Sequence, residues 1–254
     1  MHRKLYINGN RGLSLAKSSG ARATLTRRAL YQVSLRLGNL SKDLEAFLIR
    51  RSLRAAGLSG IEGIPTYTNP RELLTLYKLA AACPPNARAL EIGSHLGASS
   101  CHLAAGLAPL NGRLLCVDTW RNDAMLDGPE DTFPEFQANI APLRGWIEPF
   151  RKHSKDLSTL EFDRPFNLIF IDGDHSYEAV RRDLRLVAPW LASGGTIAFH
   201  DFSHPNHMGV TRAVGEALAS GTWLLGGIVD SLAWMKHVSE HTPRIGAPAT
   251  DTMP

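Results

Sequence analysis

The amino-acid sequence predicts an α/β fold with a doubly wound, mostly parallel sheet of seven strands, preceded by an N-terminal helical extension. Short apolar runs alternate with longer segments of helical periodicity, which is the pattern of β-α-β units. Two of these runs, Ala89–Ile92 and Leu168–Ile171, end at Gly93 and Asp172, as strands do when they enter a turn. The seven predicted strands are residues 88–92, 113–117, 145–150, 168–171, 196–199, 222–228 and 232–237.

Charge and periodicity divide the chain into three parts. Residues 1–60 form a basic extension, residues 61–240 carry the predicted sheet, and residues 241–254 form a loose tail. Within the extension we expect irregular structure up to residue 23. Two or three helices should follow, divided at Gly38 and Gly57, because apolar residues recur there every three or four positions.

Composition favours one large domain. The chain has 254 residues, of which 44% are apolar, and this is enough for a sizeable core. It contains no run of the ~20 apolar residues that a membrane-spanning helix needs and no apolar N-terminal segment typical of a secretory signal. The three cysteines are scattered in apolar stretches, as expected of small buried side chains. We therefore expect a reducing, cytoplasmic location.

The extension is strongly basic. Residues 1–60 carry 12 Lys and Arg against 2 Asp and Glu, although the whole chain has a net charge of only +4. Such a segment is compatible with a transit peptide, with contact to an anionic membrane surface or an acidic partner, or with a solvated basic arm. Its helices are candidates for a lid or a dimer surface, so we expect a homo-oligomer; plain packing is the alternative.

The first candidate site is the loop after the strand at 88–92. Gly93 and Gly97 leave room for a ligand near the backbone, and Glu91 supplies a carboxylate. The dinucleotide motif G-x-G-x-x-G is absent, because His95 occupies the place of its second glycine. The pattern E-x-G-x-x-x-G-x-S instead resembles motif I of class I S-adenosylmethionine (SAM) methyltransferases, where the loop holds the methionine part of the cofactor. A tight turn without a ligand is the alternative interpretation.

The second candidate site follows the next predicted strand. Asp118 lies 21 residues beyond Gly97, where an acidic residue can accept hydrogen bonds from ribose hydroxyl groups. Thr119 and Trp120 come directly after it, and the indole can offer its face to an adenine. A strand-end cap and a core tryptophan are the alternatives. The acidic segment 121–131 predicts a surface loop near the mouth of the crevice.

Polar residues also follow the fourth and fifth predicted strands. Asp172 and His175 come after the fourth strand, and His200 and Asp201 after the fifth. Because the carboxyl ends of parallel strands meet at one edge of a sheet, we expect these side chains around one crevice. Such a cluster can bind a divalent cation or hold a general base. A hydrogen-bonded network without an ion is the alternative.

Four motifs together resemble a known family. They are Glu91-Ile-Gly-Ser-His-Leu-Gly-Ala-Ser-Ser, Ile171-Asp-Gly-Asp-His-Ser-Tyr-Glu, Ser193-Gly-Gly-Thr-Ile-Ala-Phe-His-Asp and Gly209-Val. Over residues 62–238 they are similar to the SAM-dependent methyltransferases grouped with macrocin O-methyltransferase and the cephalosporin-biosynthesis methyltransferases. The resemblance implies a Rossmann-like class I methyltransferase sheet that an antiparallel strand closes. It also implies O-methylation of a hydroxyl group on a small molecule, a sugar or a secondary metabolite.

The resemblance implies site residues as well. Asp172, His200 and Asp201 would hold a magnesium ion or another divalent cation, with His200 in place of a carboxylate of the family. An adenine contact would lie at residues 153–156, with Ser154 as the candidate. The full set expected to bind SAM is Glu91, Gly93, Ser94, Gly97, Ser99, Asp118, Thr119, Trp120, Ser154, Asp172 and His175.

Methyl transfer from a sulfonium needs aligned reactants, exclusion of water and removal of a proton. We expect Asp172 or His175 to accept the proton of the acceptor hydroxyl group; a contact of His175 with the cofactor is the alternative. A lone histidine in a loop is usually solvated, and we expect this of His204 and His207; contact with the acceptor is the alternative.

Three other functions are compatible with parts of the sequence. A nicotinamide-dependent dehydrogenase shares the fold class but needs the missing glycine motif. A SAM-binding protein without catalysis would share the cofactor residues. Nucleic-acid methylation through the basic extension is a third option, but aromatic and basic residues do not interleave there. We therefore expect a small-molecule acceptor and no nucleic-acid partner.

Overall fold

The structure, a computed structural model, describes residues 14–55, 58–122, 128–158 and 165–238. The expectations for residues 1–13, for part of the acidic loop and for the tail at 241–254 lie outside the described residues. The chain forms two compact units, residues 1–52 and residues 53–254. No helix of the described ranges is long and apolar enough to cross a bilayer.

The described part of the first unit is a single α-helix. Helix α1 (Ser14–Ala55) runs for 42 residues and continues into the first residues of the second unit. The predictions of irregular structure at residues 14–23 and of a break at Gly38 are therefore wrong. An isolated glycine costs a helix only about 1 kcal/mol, which a long helix tolerates. The predicted break at Gly57 lies outside the described residues.

The second unit contains the predicted seven-stranded sheet, in the order β3-β2-β1-β4-β5-β7-β6. Strands β1 to β5 are parallel, and β7 is antiparallel to its neighbours β5 and β6. The predicted fold, including the closing antiparallel strand, is confirmed. The strands are β1 (Arg88–Ile92), β2 (Arg113–Asp118), β3 (Ile147–Arg151), β4 (Phe166–Ile171), β5 (Leu191–Phe199), β6 (Trp223–Val229) and β7 (Leu232–His237).

In the described ranges, five α-helices accompany the sheet: α2 (Pro70–Ala81), α3 (Ala98–Leu107), α4 (Phe133–Asn139), α5 (Tyr177–Val187) and α6 (Met208–Ala219). Helices α2 and α3 pack against each other, and so do α5 and α6. The central strands β1 and β4 are buried on both faces, with Leu90 and Ile169 fully inaccessible. Burial on both faces explains why these strands are mostly apolar in sequence.

The connection between α5 and β5 differs from the sequence prediction. The sequence predicts that the strand begins at Thr196, but α5 ends at Val187 and β5 already begins at Leu191. Pro189 lies in the short 3-10 turn between them, and a proline cannot donate the backbone hydrogen bond that would continue the helix. The two glycines are therefore part of the strand.

Candidate active site

A cavity of about 1170 Å³ opens at the carboxyl edge of the sheet. The chain leaves β1 towards β2 and β3 on one side and returns to β4 on the other. Ligands of open α/β sheets bind at such a reversal, because the loops diverge there. Residues from the ends of four strands line the cavity: Gly93, Asp118, Asp172 and His200.

Gly93 is required by the packing of β1 against β4. Its φ is +86°, and a Cβ there would lie 2.1 Å from the backbone oxygen of Asp172. No side chain larger than hydrogen fits without moving one strand end. The expected reason for this glycine was the approach of a ligand, but the adjacent backbone already explains it. Gly93 also borders the cavity, so its predicted cofactor contact stays a prediction.

Glu91 supports the glycine loop from within the core. Glu91 is fully buried. Its Oε2 accepts hydrogen bonds from the hydroxyl group of Ser94, at 2.8 Å, and from that of Ser100. Burial raises the pKa of Glu91 against the opposing effect of these bonds. Glu91 does not line the cavity, so the expected carboxylate beside the crevice is a structural group that holds the loop.

The N-terminus of α3 faces the cavity. Gly97, at φ +92°, is the N-cap residue of α3 and provides no side-chain hydrogen bond to cap the helix. A Cβ at this position would lie 3.1 Å from the side chains of Phe136 and Ile140. Gly97 itself does not line the cavity, whereas Ala98 and Ser99 do. The first N–H groups of a helix lack intrahelical partners and attract negative charge. This end of α3 therefore suits the carboxylate of an amino acid.

Asp118 fixes the geometry of the glycine loop and still faces the cavity. Its Oδ2 accepts hydrogen bonds from the backbone N–H groups of Ser94 (2.8 Å) and His95 (2.9 Å), and its Oδ1 accepts one from Trp120 (2.7 Å). An ionised carboxylate has about four acceptor positions, so at least one remains for a ribose hydroxyl. Asp118, Ser94 and Thr119 all line the cavity, and their contact with a cofactor stays a prediction.

Trp120 belongs to the core more than to the cavity wall. Only 1% of the residue is exposed, and its indole N–H donates to the carbonyl oxygen of His95 at 2.9 Å. Its ring packs on Phe133 and Phe136 with centroids 4.9 and 4.6 Å away. The residue borders the cavity, but its covered ring favours the core alternative over adenine stacking.

Ser99 and Ser154 also border the cavity. Ser154 precedes Lys155 in a short 3-10 turn after β3, and its hydroxyl group donates to Asp183 Oδ1 at 2.9 Å. The side chain of Ser154 is thus engaged inside the protein. Any adenine contact at this position would come from the backbone or from neighbours in the lining such as His153.

His200 lies at the centre of a carboxylate cluster. Its Nδ1 is 3.3 Å from Asp172 Oδ1 and 3.5 Å from Asp201 Oδ2, and its Nε2 is 3.1 Å from Glu72 Oε2. Burial by itself would lower the pKa of His200, but Asp172, Asp201 and Glu72 outweigh it and raise that pKa to about 12. The ring therefore carries a positive charge at neutral pH in this arrangement.

Glu72 is the member of the cluster that sequence reasoning missed. It is the third residue of α2, in a capping box with Asn69, and its Oε1 also accepts from the N–H and hydroxyl of Ser231 at 2.7 Å. Burial alone would raise the pKa of Glu72, but His200 and Ser231 lower it. The spacing Asn-Pro-Arg-Glu is a visible helix-start signal, but it does not reveal a contact 128 positions away.

His175 presents an oriented imidazole to the cavity. Its Nε2 lies 3.1 Å from Asp201 Oδ2 and 3.5 Å from Asp172 Oδ1, and 30% of its side chain is exposed. Burial lowers the pKa of His175, but the two carboxylates outweigh it and raise that pKa above 6.5. Burial would raise the pKa of Asp172, but His200 and His175 lower it, which makes Asp172 the weaker base.

His207 joins this group, contrary to the expectation of a solvated loop residue. Its ring centroid is 4.3 Å from that of His175, and its Nε2 is 3.8 Å from Asp201 Oδ2. Burial and the nearby His175 lower the pKa of His207. Asp201, which has a left-handed φ of +58°, and His207 in the loop after it both line the cavity. His204 lines the cavity as well.

Among the described residues, two sets of three side chains bring ligand atoms within 4.8 Å of one another. One is the predicted set of Asp172, His200 and Asp201; the other is His175, Asp201 and His207. The first set fits a divalent cation if Nδ1 of His200 is a ligand while Nε2–H donates to Glu72. Metal-binding histidines commonly donate their other N–H to a carboxylate in this way.

Comparison with known proteins agrees with this geometry. Residues 90–202 match a family model described as a methyltransferase domain. The structure is similar to cofactor-bound Rv0187 from MTB, with a TM-score of 0.57 and 19% identity over 77% of this chain and 96% of that one.

Two O-methyltransferases have similar structures. TomG from Streptomyces achromogenes, solved with SAM, has a TM-score of 0.54 and 18% identity, covering 76% of this chain and 89% of its own. An enzyme from Bacillus cereus, solved with S-adenosylhomocysteine (SAH), has a TM-score of 0.53 and 18% identity, covering 77% and 90%. The chain thus has the class I methyltransferase fold, and residues 90–202 within it match the methyltransferase-domain model.

Proposed function

We propose that the protein transfers a methyl group from SAM to a hydroxyl group of a small molecule. The observation that carries the proposal is the shared cavity. The uncapped start of α3, Asp118 and the oriented imidazole of His175 all face it. Together they provide sites for a carboxylate and a ribose and, beside them, a proton acceptor.

When bound, SAM supplies the methyl group on a sulfonium, an electrophile that needs no further activation. The chain's own residues then have three tasks. The N–H groups at the start of α3 hold the amino-acid carboxylate, and Asp118 accepts from the ribose hydroxyl groups. The loop that carries His204 and His207 borders the cavity and helps to exclude water from the reacting groups.

His175 is the proton acceptor in this proposal. Contacts with Asp172 and Asp201 outweigh burial and raise the pKa of His175 above 6.5, and the neutral ring, which forms as pH rises through that pKa, can act as a base. Asp201 and Asp172 orient the ring and stabilise the imidazolium that forms on proton transfer. Of the two bases that the sequence left open, we choose His175, because the pKa of Asp172 is lowered.

We further propose that a divalent cation assists the reaction at Asp172, His200 and Asp201. Bound there, the cation would place and acidify the acceptor hydroxyl group. Because His200 is protonated without it, binding must displace a proton. Titration of MgCl₂ or MnCl₂ in buffers of different ionisation enthalpy should show proton release that Asp172→Ala abolishes. Turnover that is insensitive to EDTA would refute this part.

The central test is binding of SAH by isothermal titration calorimetry. We expect binding by the wild type and at least about tenfold weaker binding by Asp118→Ala, equivalent to ~1.4 kcal/mol. Asp131→Asn is the matched control, because this exposed carboxylate pairs with Arg151 on the protein surface. Folding of each variant is checked by circular dichroism. A wild-type protein that does not bind SAH would refute the proposal.

The acceptor class is tested separately with labelled SAM. Purified protein is incubated with panels of sugars, phenols and catechols, and product linkage is read by mass spectrometry. Transfer to an oxygen atom supports the proposal, and transfer only to nitrogen, carbon or nucleic acid contradicts it. Binding of SAH without transfer to any acceptor would favour the SAM-binding protein without catalysis.

A further inference from the structure

Six apolar side chains of α1 recur at alternating intervals of three and four residues. Each is more than half exposed, at 65, 52, 62, 64, 57 and 55% in chain order. They are Leu30, Val33, Leu37, Leu40, Leu44 and Phe47. We call this set the α1 seam. All of it lies in the first unit, residues 1–52.

The spacing of the α1 seam is that of a coiled coil. A helix that packs on a globular core has a broad apolar stripe with a period of 3.6, whereas a two-helix coiled coil has apolar a and d positions with a period of 3.5. With Leu30 at position a, the seam fills a and d through three successive heptads, about the shortest run that is typical of coiled coils. Over 18 residues it is ~26 Å long.

We propose that the α1 seam pairs with the α1 seam of a second copy of this chain, in antiparallel orientation. In an antiparallel pair, a positions face d positions of the other helix. One register matches the whole seam: Leu30 faces the partner's Phe47, and Val33 faces the partner's Leu44. At the centre Leu37 faces the partner's Leu40. Because the pair is symmetric, every contact forms twice.

Charge selects the antiparallel orientation. Arg36 and Asp43 are the g positions beside the seam, and both are exposed. In the register given above, Arg36 lies beside the partner's Asp43, so two opposite-charge pairs flank the seam. A parallel pair would instead place Arg36 beside Ser41 and Asp43 beside Leu48. It would also place Arg51, at the next a position, against its own copy.

The first experiment measures the mass of the full chain in solution by light scattering coupled to gel filtration. We expect a dimer for the wild type and a single chain for Leu37→Glu, which puts a charge in the middle of the seam. Leu35→Glu is the matched control. Leu35 is 44% exposed on the same helix, but it lies two residues away, about 200° around the helix axis. We expect this variant to stay dimeric.

The second experiment tests orientation by exchanging charges. Arg36→Glu and Asp43→Arg each place like charges side by side, so each should weaken the dimer severalfold in sedimentation equilibrium. The double variant restores opposite charges within an antiparallel pair, and its dissociation constant should return to the wild-type value. In a parallel pair the double variant would show no such recovery, and that result would overturn the antiparallel assignment.

Three outcomes would overturn the pairing itself. The wild type could be a single chain at micromolar concentration, or its dimer could survive Leu37→Glu unchanged. The third outcome is a wild-type single chain that floats with anionic phosphatidylserine vesicles and loses this binding in Leu37→Glu. That result would assign the seam to a membrane surface instead of a second copy.

Discussion

Glu72 and His200, 128 positions apart, meet with 3.1 Å between Oε2 and Nε2. Glu72 lies in the first turn of α2, and His200 directly follows β5. The contact therefore joins the helix that precedes the sheet to the carboxyl edge of the sheet. Both side chains are almost fully buried, at 2 and 6% exposure. The imidazole is thereby fixed, with its other nitrogen directed at Asp172 and Asp201.

A double-mutant cycle on this pair should give a large coupling energy. His200→Gln leaves the buried Glu72 without its cation, so it should lower the free energy of unfolding by about 3 kcal/mol or more. Glu72→Gln leaves His200 with Asp172 and Asp201, so it should lower that free energy by less. We expect a coupling energy of about 1–3 kcal/mol from urea denaturation of the wild type, both single variants and the double variant.

The ion pair of Arg71 with Asp230 is the matched control for this cycle. It joins the same helix to the turn between β6 and β7 at 2.9 Å, but its side chains are 41 and 33% exposed. Exposed pairs contribute about 0–1 kcal/mol, so Arg71→Gln with Asp230→Asn should show little coupling. Equal coupling energies for the two pairs would contradict the prediction that burial makes the coupling between Glu72 and His200 the stronger one.

The stability of the protein should fall as pH rises above 6.5. The pKa of His200 is about 12 in the folded chain against 6.5 for an ordinary histidine, so its stabilisation is complete below 6.5 and is lost towards 12. Between these two pKa values the folded state binds one proton more than the unfolded state. The free energy of unfolding therefore falls by about 1.4 kcal/mol per pH unit. The difference between wild type and His200→Gln should therefore shrink from pH 7 to pH 9.

At acidic pH the free energy of unfolding should change in the opposite direction and fall as pH decreases. The pKa values of Glu72, Asp172 and Asp201 are lowered, since histidine contacts outweigh their burial. Their contribution is present above the ordinary carboxyl pKa and is lost as pH falls through the lowered values. Denaturation curves between pH 3 and 9 will test both limbs, and a stability difference that does not change with pH would contradict the ion network.

The rate of methyl transfer should rise with pH through the pKa of His175. The raised pKa places the midpoint of kcat/KM above 6.5, because the neutral ring is the base. Asp201→Asn removes the nearer carboxylate and should shift the midpoint to lower pH. Glu178→Gln, an exposed change on α5, is the control and should leave the midpoint unchanged.

His175→Ala should lower kcat by about 10²- to 10⁴-fold, the usual contribution of a positioned base. SAH affinity, measured alongside, separates loss of the base from loss of the cofactor site. If the variant keeps near-wild-type turnover across the pH range, His175 is not the proton acceptor.

Gly93→Ala should be strongly destabilising. A Cβ there would lie 2.1 Å from the Asp172 backbone oxygen at φ +86°, and the left-handed conformation alone costs an L-residue about 1–2 kcal/mol. We expect a loss of unfolding free energy of more than ~2 kcal/mol and weaker SAH binding. Gly215→Ala, in the middle of α6 with nothing within 4 Å of the new methyl group, is the control and should stabilise by about 0.5–1 kcal/mol.

Features that depend on neighbours in sequence could be predicted well. The apolar runs and the glycines and acids that follow them located β1, β2 and β4, and the ordering of these units gave the fold class. The polar residues that follow the strands were correctly expected at one edge of the sheet, because the carboxyl ends of parallel strands lie at the same edge. Local signals predicted α1 and β5 less well. An isolated glycine does not break the long helix α1, and two glycines lie inside β5 and not in a loop before it.

The roles of individual side chains depended on the tertiary structure. Glu91 has the spacing of a ligand residue, yet its direction places it under the loop, and Trp120 is covered by two phenylalanines of α4. Glu72 looks like an ordinary capping residue until α2 packs beside the end of β5. By itself the sequence determined the fold, the edge that carries the site and the heptad spacing of α1, because backbone preference and hydrophobic periodicity act over a few residues. Only the tertiary structure decided which carboxylate meets which histidine, because such contacts depend on distances of a few ångströms between segments that are separated in the sequence, by 128 positions for Glu72 and His200.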